Sequence, residues 1–430
     1  MLIRFGFENL YSFPDYTEVP LTAARISDVP SHTFRLPGTE ESLLPAIAIY
    51  GANAAGKSNV IGAFAFLRNE VVGSFVNRKP TAPVPRSAFR LGAHASAESR
   101  VDCDIVVDGA RYHYGFACDD EKFTEEWLYS WPRGVQRLLF YRGEGAEDGW
   151  KFGPSLRGRK KLIASATRPN SLFLSTAAQQ NHETLTPLYA AFESGMYYRP
   201  AGLADRGGVF LDDDPILREE NKEKVVQLLK ASDLGIQDFR VDRTEENYRR
   251  LIDKMKEDGA SEDRIKEVEK AISDIGPLRT VRLGHAKADG TADYFDYRNE
   301  SRGTQMLLDR LGPLLQVLSH GGLYVVDEFD SGMHPHLAAA LLGLFTNAGV
   351  NRKGAQILFS THTSELLEGL RRDEIALVEK STVGSSTLTL LTEYRTKKRD
   401  DIRRGYMAGR FGGVPTLDDL ARIFQTEPAA

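Results

Sequence analysis

The chain has 430 residues, of which 41% are hydrophobic and 27% charged, with a formal net charge of −5. Those values suit a globular protein of two to three domains, or one large domain carrying an inserted lobe. They exclude a generally basic, nucleic-acid-coating surface, while leaving room for a local basic stripe.

Along the chain, Leu2 to Phe7 reads as a strand. Asn9-Leu10-Tyr11-Ser12-Phe13-Pro14 then turns it, with Pro14 forbidding a helix there. Residues 22–44 are mixed and turn-rich. Ala46-Ile47-Ala48-Ile49-Tyr50 is a short apolar run suited to a buried strand. It leads into Gly51-Ala52-Asn53-Ala54-Ala55-Gly56-Lys57-Ser58, a full G-x-x-x-x-G-K-S phosphate-binding loop, and then into a helical pattern over Ser58 to Arg68. Glycines allow a tight turn that aims backbone N–H groups at phosphate oxygens, and the following helix presents its N-terminus to the anion. The motif therefore predicts ATP with Mg²⁺ as the cofactors. Candidate nucleotide contacts are Gly51, Asn53, Ala54, Ala55, Gly56, Lys57 and Ser58, with Asn59 next to them. Lys57 would reach the β- and γ-phosphates, and the Ser58 hydroxyl would ligate Mg²⁺.

Asn77 to Pro85 is a Pro-rich polar loop. Val101, Cys103, Ile105 and Val107 alternate, Asp108-Gly109 follows, and Tyr112, Tyr114 and Phe116 alternate again, which predicts a hairpin. Glu125 to Tyr129 and Arg137 to Tyr141 add strands to this β-rich segment. Residues 170–195 turn helical, and Ile216 to Ser232 has the pattern of an amphipathic helix. Thr244 to Lys256 and Ser261 to Ile275 form a highly charged helical hairpin around Asp258-Gly259, each arm about 20 Å long and far too short for a coiled-coil rod. Its charge reads as a solvated face, with a partner-docking arm as the sharper alternative. Leu278 to His285 and Ala292 to Tyr297 flank Asp289-Gly290 as another hairpin, after which strands and helices alternate in the α/β manner.

The phosphate loop needs acidic partners, and they come late. Gly322-Leu323-Tyr324-Val325-Val326-Asp327-Glu328 is an apolar strand ending in two carboxylates. Asp327 would bind Mg²⁺, and Glu328 would orient or deprotonate the attacking water. Ala355-Gln356-Ile357-Leu358-Phe359-Ser360-Thr361-His362 is a further buried strand ending at a histidine that can donate to the γ-phosphate. Upstream, Asn299-Glu300-Ser301-Arg302-Gly303-Thr304-Gln305 precedes an apolar helix, a second anion-binding helix start. His334 and His336 read as loop residues, for want of a third metal ligand.

The order P-loop, Glu-Ser-x-Gly-Thr, Val-Asp-Glu, Asp-Ser-x-x-His-Pro and Ser-Thr-His resembles the ABC-type ATPases of the SMC-like and OLD-like group. It looks most like stand-alone bacterial ATPases of phage-defence operons, such as the ATPase subunit of the PARIS system and the restriction-linked Rlo ATPases. Phe7 to Phe13 and Gly405 to Pro415 match that group's opening and closing segments. The resemblance implies an α/β ABC-type P-loop ATPase head, with a mixed or parallel sheet, flanking helices and a β-rich subdomain. The head would comprise residues 1–165 and 278–430, with an inserted helical lobe at 166–277 that includes the short hairpin at about 244–275. It also implies a homo-oligomer, at least a dimer, in which Ser301 and Gly303 contact the γ-phosphate held by the other chain and His362 acts as switch histidine. Departures are a partly kept Leu-Ser-Gly-Gly-Gln signature, with Arg302 and Thr304 at variable places, and no glutamine matching a Q-loop after the first helix.

By the same resemblance, the chain would be the sensor or scaffold of an anti-phage system that controls a separately encoded TOPRIM-type effector nuclease and answers to a phage-encoded trigger. About seventy residues follow His362 without an Asp-x-Asp cluster, so no complete nuclease of that type is expected in this chain. The alternative is an SMC-like DNA-repair or DNA-tethering ATPase, for which Arg395, Lys397, Lys398, Arg399, Arg403 and Arg404 could touch phosphate backbone. A transporter ATPase fits less well, because of the insert and the missing Q-loop. Cys103 and Cys118 form no disulfide framework, the opening residues are no signal peptide, and no apolar run spans a bilayer, so a cytoplasmic protein without membrane contact is expected.

Overall fold

The computed structural model describes residues 1–26, 32–36, 39–200, 209–211, 214–232, 234–243, 265, 278–398 and 400–414. The chain divides into two compact units. The first comprises Met1–Pro200, Gly322–Phe329 and Leu342–Ala430; the second comprises Ala201–Gly321 and Asp330–Leu341.

The first unit is built on two sheets. One has six strands in the order Met196–Arg199, Gly322–Val326, Ala355–Ser360, Ala46–Gly51, Ile375–Lys380 and Ser386–Leu390. The first five run parallel and the last is antiparallel. Strands such as Ala46–Gly51 and Ala355–Ser360 are buried at every residue, as near-continuous apolar runs in a sheet covered on both faces should be. This is the expected α/β head.

The other sheet is antiparallel with seven strands, ordered Trp150–Phe152, Arg137–Arg142, Phe123–Ser130, Ala110–Cys118, Ser99–Val107, Leu2–Glu8 and Thr17–Pro20. The Asp108-Gly109 hairpin is where the sequence predicts it, with φ of 49° and 76° at the two turn residues. Val101, Cys103 and Ile105 point into the core, joined there by Phe5, Tyr114 and Phe116.

Between the sheets runs helix α1, Lys57–Gly73. Ten of its seventeen residues, from Lys57 to Val71, are buried, which suits a helix packed on two sides. Phe64 meets Phe5 edge-on, and Phe66 meets Phe116. Residues from both sheets, including Ile47, Leu358 and Val378, share one core with it. The helical stretch predicted over 170–195 is two helices, Phe173–Gln179 and Leu185–Glu193. Asn181, at φ 53°, lies between them. The first is capped by Glu126, whose carboxylate accepts from the Phe173 and Leu174 amides at 2.6 and 3.0 Å. A buried carboxyl at a helix start satisfies N–H groups that the helix itself cannot.

In the second unit Val209–Leu211, Ile236–Arg243, Leu278–Ala286 and Ala292–Asp296 form an antiparallel sheet. The hairpin at Asp289-Gly290 is present, with Gly290 at φ 82°. The predicted helix from Ile216 is split: a short turn, Pro215–Leu217, precedes the helix Glu219–Ala231, because Arg218 is extended. The charged hairpin of 244–275 lies outside the described residues, Ile265 excepted. Among the described residues no helix is long and apolar enough to cross a membrane.

Candidate functional site

The phosphate-loop strand Ala46–Gly51 ends at a turn in which Ala54 has φ 61° and Gly56 φ 118°, and α1 starts at Lys57. Packing as well as ligand approach demands glycine here. A Cβ on Gly51 would lie 2.5 Å from the Val378 carbonyl oxygen, and one on Gly56 would lie 2.6 Å from Ser386 Oγ and 2.9 Å from Ser12 Oγ. Those two serines clamp the loop. The Ser386 hydroxyl donates to the Ala55 carbonyl at 2.6 Å and lies 2.7 Å from the Ser12 hydroxyl, which accepts from the Asn59 side-chain amide at 2.7 Å. Lys57 is buried, and its ammonium donates to the carbonyls of Gly51 at 2.9 Å and Ala52 at 3.0 Å. The charge is thus held within the loop that precedes it.

Two strands away, Gly322–Val326 delivers the carboxylates. The backbone N–H of Asp327 donates to Arg199 O at 2.9 Å, and its carboxylate accepts from the Ser360 hydroxyl. The same hydroxyl accepts from the backbone N–H of Glu328 at 2.8 Å. Glu328 sits at φ 49°, a left-handed conformation that costs a residue with a side chain roughly 1–2 kcal/mol. Ser360 closes the intervening strand Ala355–Ser360, and Thr361 N–H donates back to Ile49 O at 3.2 Å, which sets the chain direction into His362.

These strand ends meet around one cavity of about 560 Å³. Its walls include Lys57, Ser58, Glu328, Ser360 and His362, together with Asn53, Ala54, Gly56 and Asn59 of the loop. Asp327 reaches it through Ser360. Ser301 and Gly303 belong to the second unit. There Ser301 caps the helix Arg302–His320, its hydroxyl accepting from Thr304 N–H at 3.2 Å. A Cβ on Gly303 would lie 2.6 Å from the Gly332 carbonyl oxygen. His334 and His336 stack edge-on at 4.9 Å, and among the described residues no trio of His, Cys, Asp or Glu is grouped to hold a metal alone. Sequence reasoning missed Ser12, Ser360 and Ser386 as positioning groups, and Lys380, a further residue of the cavity wall. The one available signal was Ser360, directly before Thr361-His362 at a strand end.

A family model described as "AAA domain, putative AbiEii toxin, Type IV TA system" matches residues 46–368, from the phosphate-loop strand to just beyond His362. The chain belongs to this family of P-loop ATPase domains. No curated protein matches this AAA-domain chain. Among solved structures, the SMC head domain from Thermotoga maritima is similar over 90% of this chain and 98% of that one, at 14% identity and a TM-score of 0.40.

The residues of this ATPase domain fit a magnesium-bound nucleotide. The loop is a cradle in which an added Cβ would collide with its supports, and it leads directly into the N-terminus of α1, a helix end that favours an anion. One carboxylate tied to the cavity wall and one hydroxyl at Ser58 are too few to hold a divalent cation alone. They suit one that brings phosphate oxygens with it.

Proposed function

We propose that this chain binds ATP with Mg²⁺ in the phosphate-loop cavity and hydrolyses it. The observation that supports this reading is the convergence of Lys57, Glu328 and His362 on one cavity from three separate parallel strands. Gly51 to Gly56 shape the loop, whose backbone N–H groups at the start of α1 hold the phosphates, while those of Ala55 and Asn59 donate to the Ala52 and Gly56 carbonyls. Lys57 neutralises the β- and γ-phosphates. Ser58 and Asp327 hold the metal, which supplies charge neutralisation on the phosphates when bound. Glu328 orients the attacking water and accepts its proton, with its backbone pinned by Ser360. His362 donates to the γ-phosphate. Ser301 and Gly303 of a second copy complete the site, so the working form is a homo-oligomer, at least a dimer.

In the cell this cycle serves a cytoplasmic sensor or scaffold of an anti-phage system. ATP occupancy biases a two-state assembly that holds a separately encoded TOPRIM-type nuclease until a phage trigger arrives. Support comes from the motif order and from membership of the ATPase family. The DNA-tethering alternative is weakened at one member of its basic cluster: Arg403 pairs with Glu365 and Glu368, both at 2.8 Å. The test is co-purification with the products of neighbouring genes, with and without ATP. A nuclease retained in an ATP-dependent way supports the sensor role. Steep salt-sensitive duplex binding by the chain alone would favour DNA tethering instead.

A further inference from the structure

Lys380 lines the phosphate-loop cavity, yet no P-loop motif assigns it. It ends the strand Ile375–Lys380, which runs parallel to the phosphate-loop strand with Val378 opposite Gly51. The strand therefore continues two residues past the point where its neighbour turns into the loop. Ala376 and Val378 lie in the core with Ile49 and Ala55, and the alternation of a strand brings Lys380 to that same face. Glu379 points the other way, where its carboxylate accepts from Gly413 N–H at 3.0 Å. Lys380 is exposed and has no ion-pair partner among the described residues. Its backbone partner in the next strand is Ser386, which clamps the loop at Ala55.

The sheet order decides which part of a nucleotide this ammonium would meet. The carboxylates end one strand, His362 follows the next, the loop follows the third, and Lys380 ends the fourth. Neighbouring strands lie about 4.8 Å apart, so Lys380 is roughly 10 Å from the histidine strand and roughly 14 Å from the carboxylate strand. The reacting phosphate belongs beside Glu328 and His362. Resting on the nucleotide reading above, the geometry points to Lys380 as a second cationic contact, on the flank of the loop away from hydrolysis. It binds a non-terminal phosphate of ATP and ADP alike. It is an affinity residue, indifferent to the γ-phosphate.

Calorimetric titration of the full chain with Mg·ADP, and of the Glu328→Gln chain with Mg·ATP, tests this. Lys380→Gln weakens both nucleotides by the same factor, roughly 10–150-fold for the loss of one charge-assisted contact. Lys380→Arg restores most of the affinity, and turnover at saturating ATP in the otherwise wild-type chain stays within about twofold, as expected when only uniform binding is lost. Unchanged affinity for both nucleotides, with Lys57→Ala still abolishing binding, overturns the Lys380 assignment alone. Loss confined to ATP overturns its placement away from the γ-phosphate. If the unsubstituted chain binds neither nucleotide, or Lys57→Ala binds normally, the site reading fails and takes this inference with it.

Discussion

Replacing Ser360 by alanine tests how the two carboxylates are positioned. The Ser360 side chain is fully buried, donates to the Asp327 carboxylate and accepts from Glu328 N–H. Removing the hydroxyl leaves a buried carboxylate oxygen and a backbone N–H each short of a partner. A charge-assisted bond contributes about 1.5–3 kcal/mol and a neutral one about 1 kcal/mol, so a stability loss of about 3 kcal/mol is expected. The catalytic effect is separate. Glu328 occupies an unfavoured φ, and without its anchor the turn can relax toward ordinary backbone. A shift of about 1 Å at a reacting group costs on the order of 100-fold in rate. Steady-state phosphate release should therefore show kcat down by about 10–100-fold in Ser360→Ala, with ATP affinity nearly unchanged because the loop and Lys57 are untouched. In a Glu328→Gln background, adding Ser360→Ala should lower the residual rate by less than it lowers the wild-type rate, because the part of its effect that acts through Glu328 is already gone. Wild-type turnover in Ser360→Ala, or fully multiplicative losses in the double variant, would refute the reasoning.

Glu328→Gln should bind ATP and stall hydrolysis, read as retained nucleotide with phosphate release cut by at least about 100-fold; normal turnover removes Glu328 from the chemistry. Gly56→Ala should lose nucleotide binding, since its φ of 118° and a Cβ only 2.6 Å from Ser386 Oγ both oppose the loop. Adding Ser386→Ala should not restore binding, because the left-handed strain of about 1–3 kcal/mol remains. At Asp104 burial pushes the carboxyl up, but hydrogen bonds from His113 and Arg111 and the Arg4 charge outweigh it and carry the group below its ordinary value. A lowered carboxyl stabilises the fold above the unfolded-state value and stops doing so as pH falls through the folded one. Asp104→Asn should thus cost about 1–2 kcal/mol in denaturant titrations at pH 7, and the gap to wild type should close in strong acid.

Local chemistry was legible in the sequence wherever neighbouring residues decide the outcome. The Asp108-Gly109 and Asp289-Gly290 turns, the loop Gly51 to Ser58 and the apolar strands before Asp327 and His362 all lie where the pattern puts them. Helix breaks were harder. Asn181 in a left-handed conformation and Arg218 in an extended one interrupt patterns that read as continuous, because apolar spacing survives a short non-helical step. The supports of the loop were illegible for a different reason. Ser12 and Ser386 are separated by 374 positions and meet only because strand Ser386–Leu390 pairs beside the loop. Lys380 faces the cavity through strand register, which no short motif encodes. The basic cluster from Arg395 to Arg404 could touch a phosphate backbone by sequence alone, whereas the fold supplies Glu365 and Glu368 as partners for Arg403.

The most direct measurement is a structure of the Glu328→Gln chain with Mg·ATP. The triphosphate should lie in the cradle of residues 53–58, with Lys57 on its β- and γ-oxygens, Asp327 and Ser58 on the metal side, and His362 at the γ-phosphate. Nucleotide density elsewhere on the chain, with that cradle closed by its own side chains, would contradict the account.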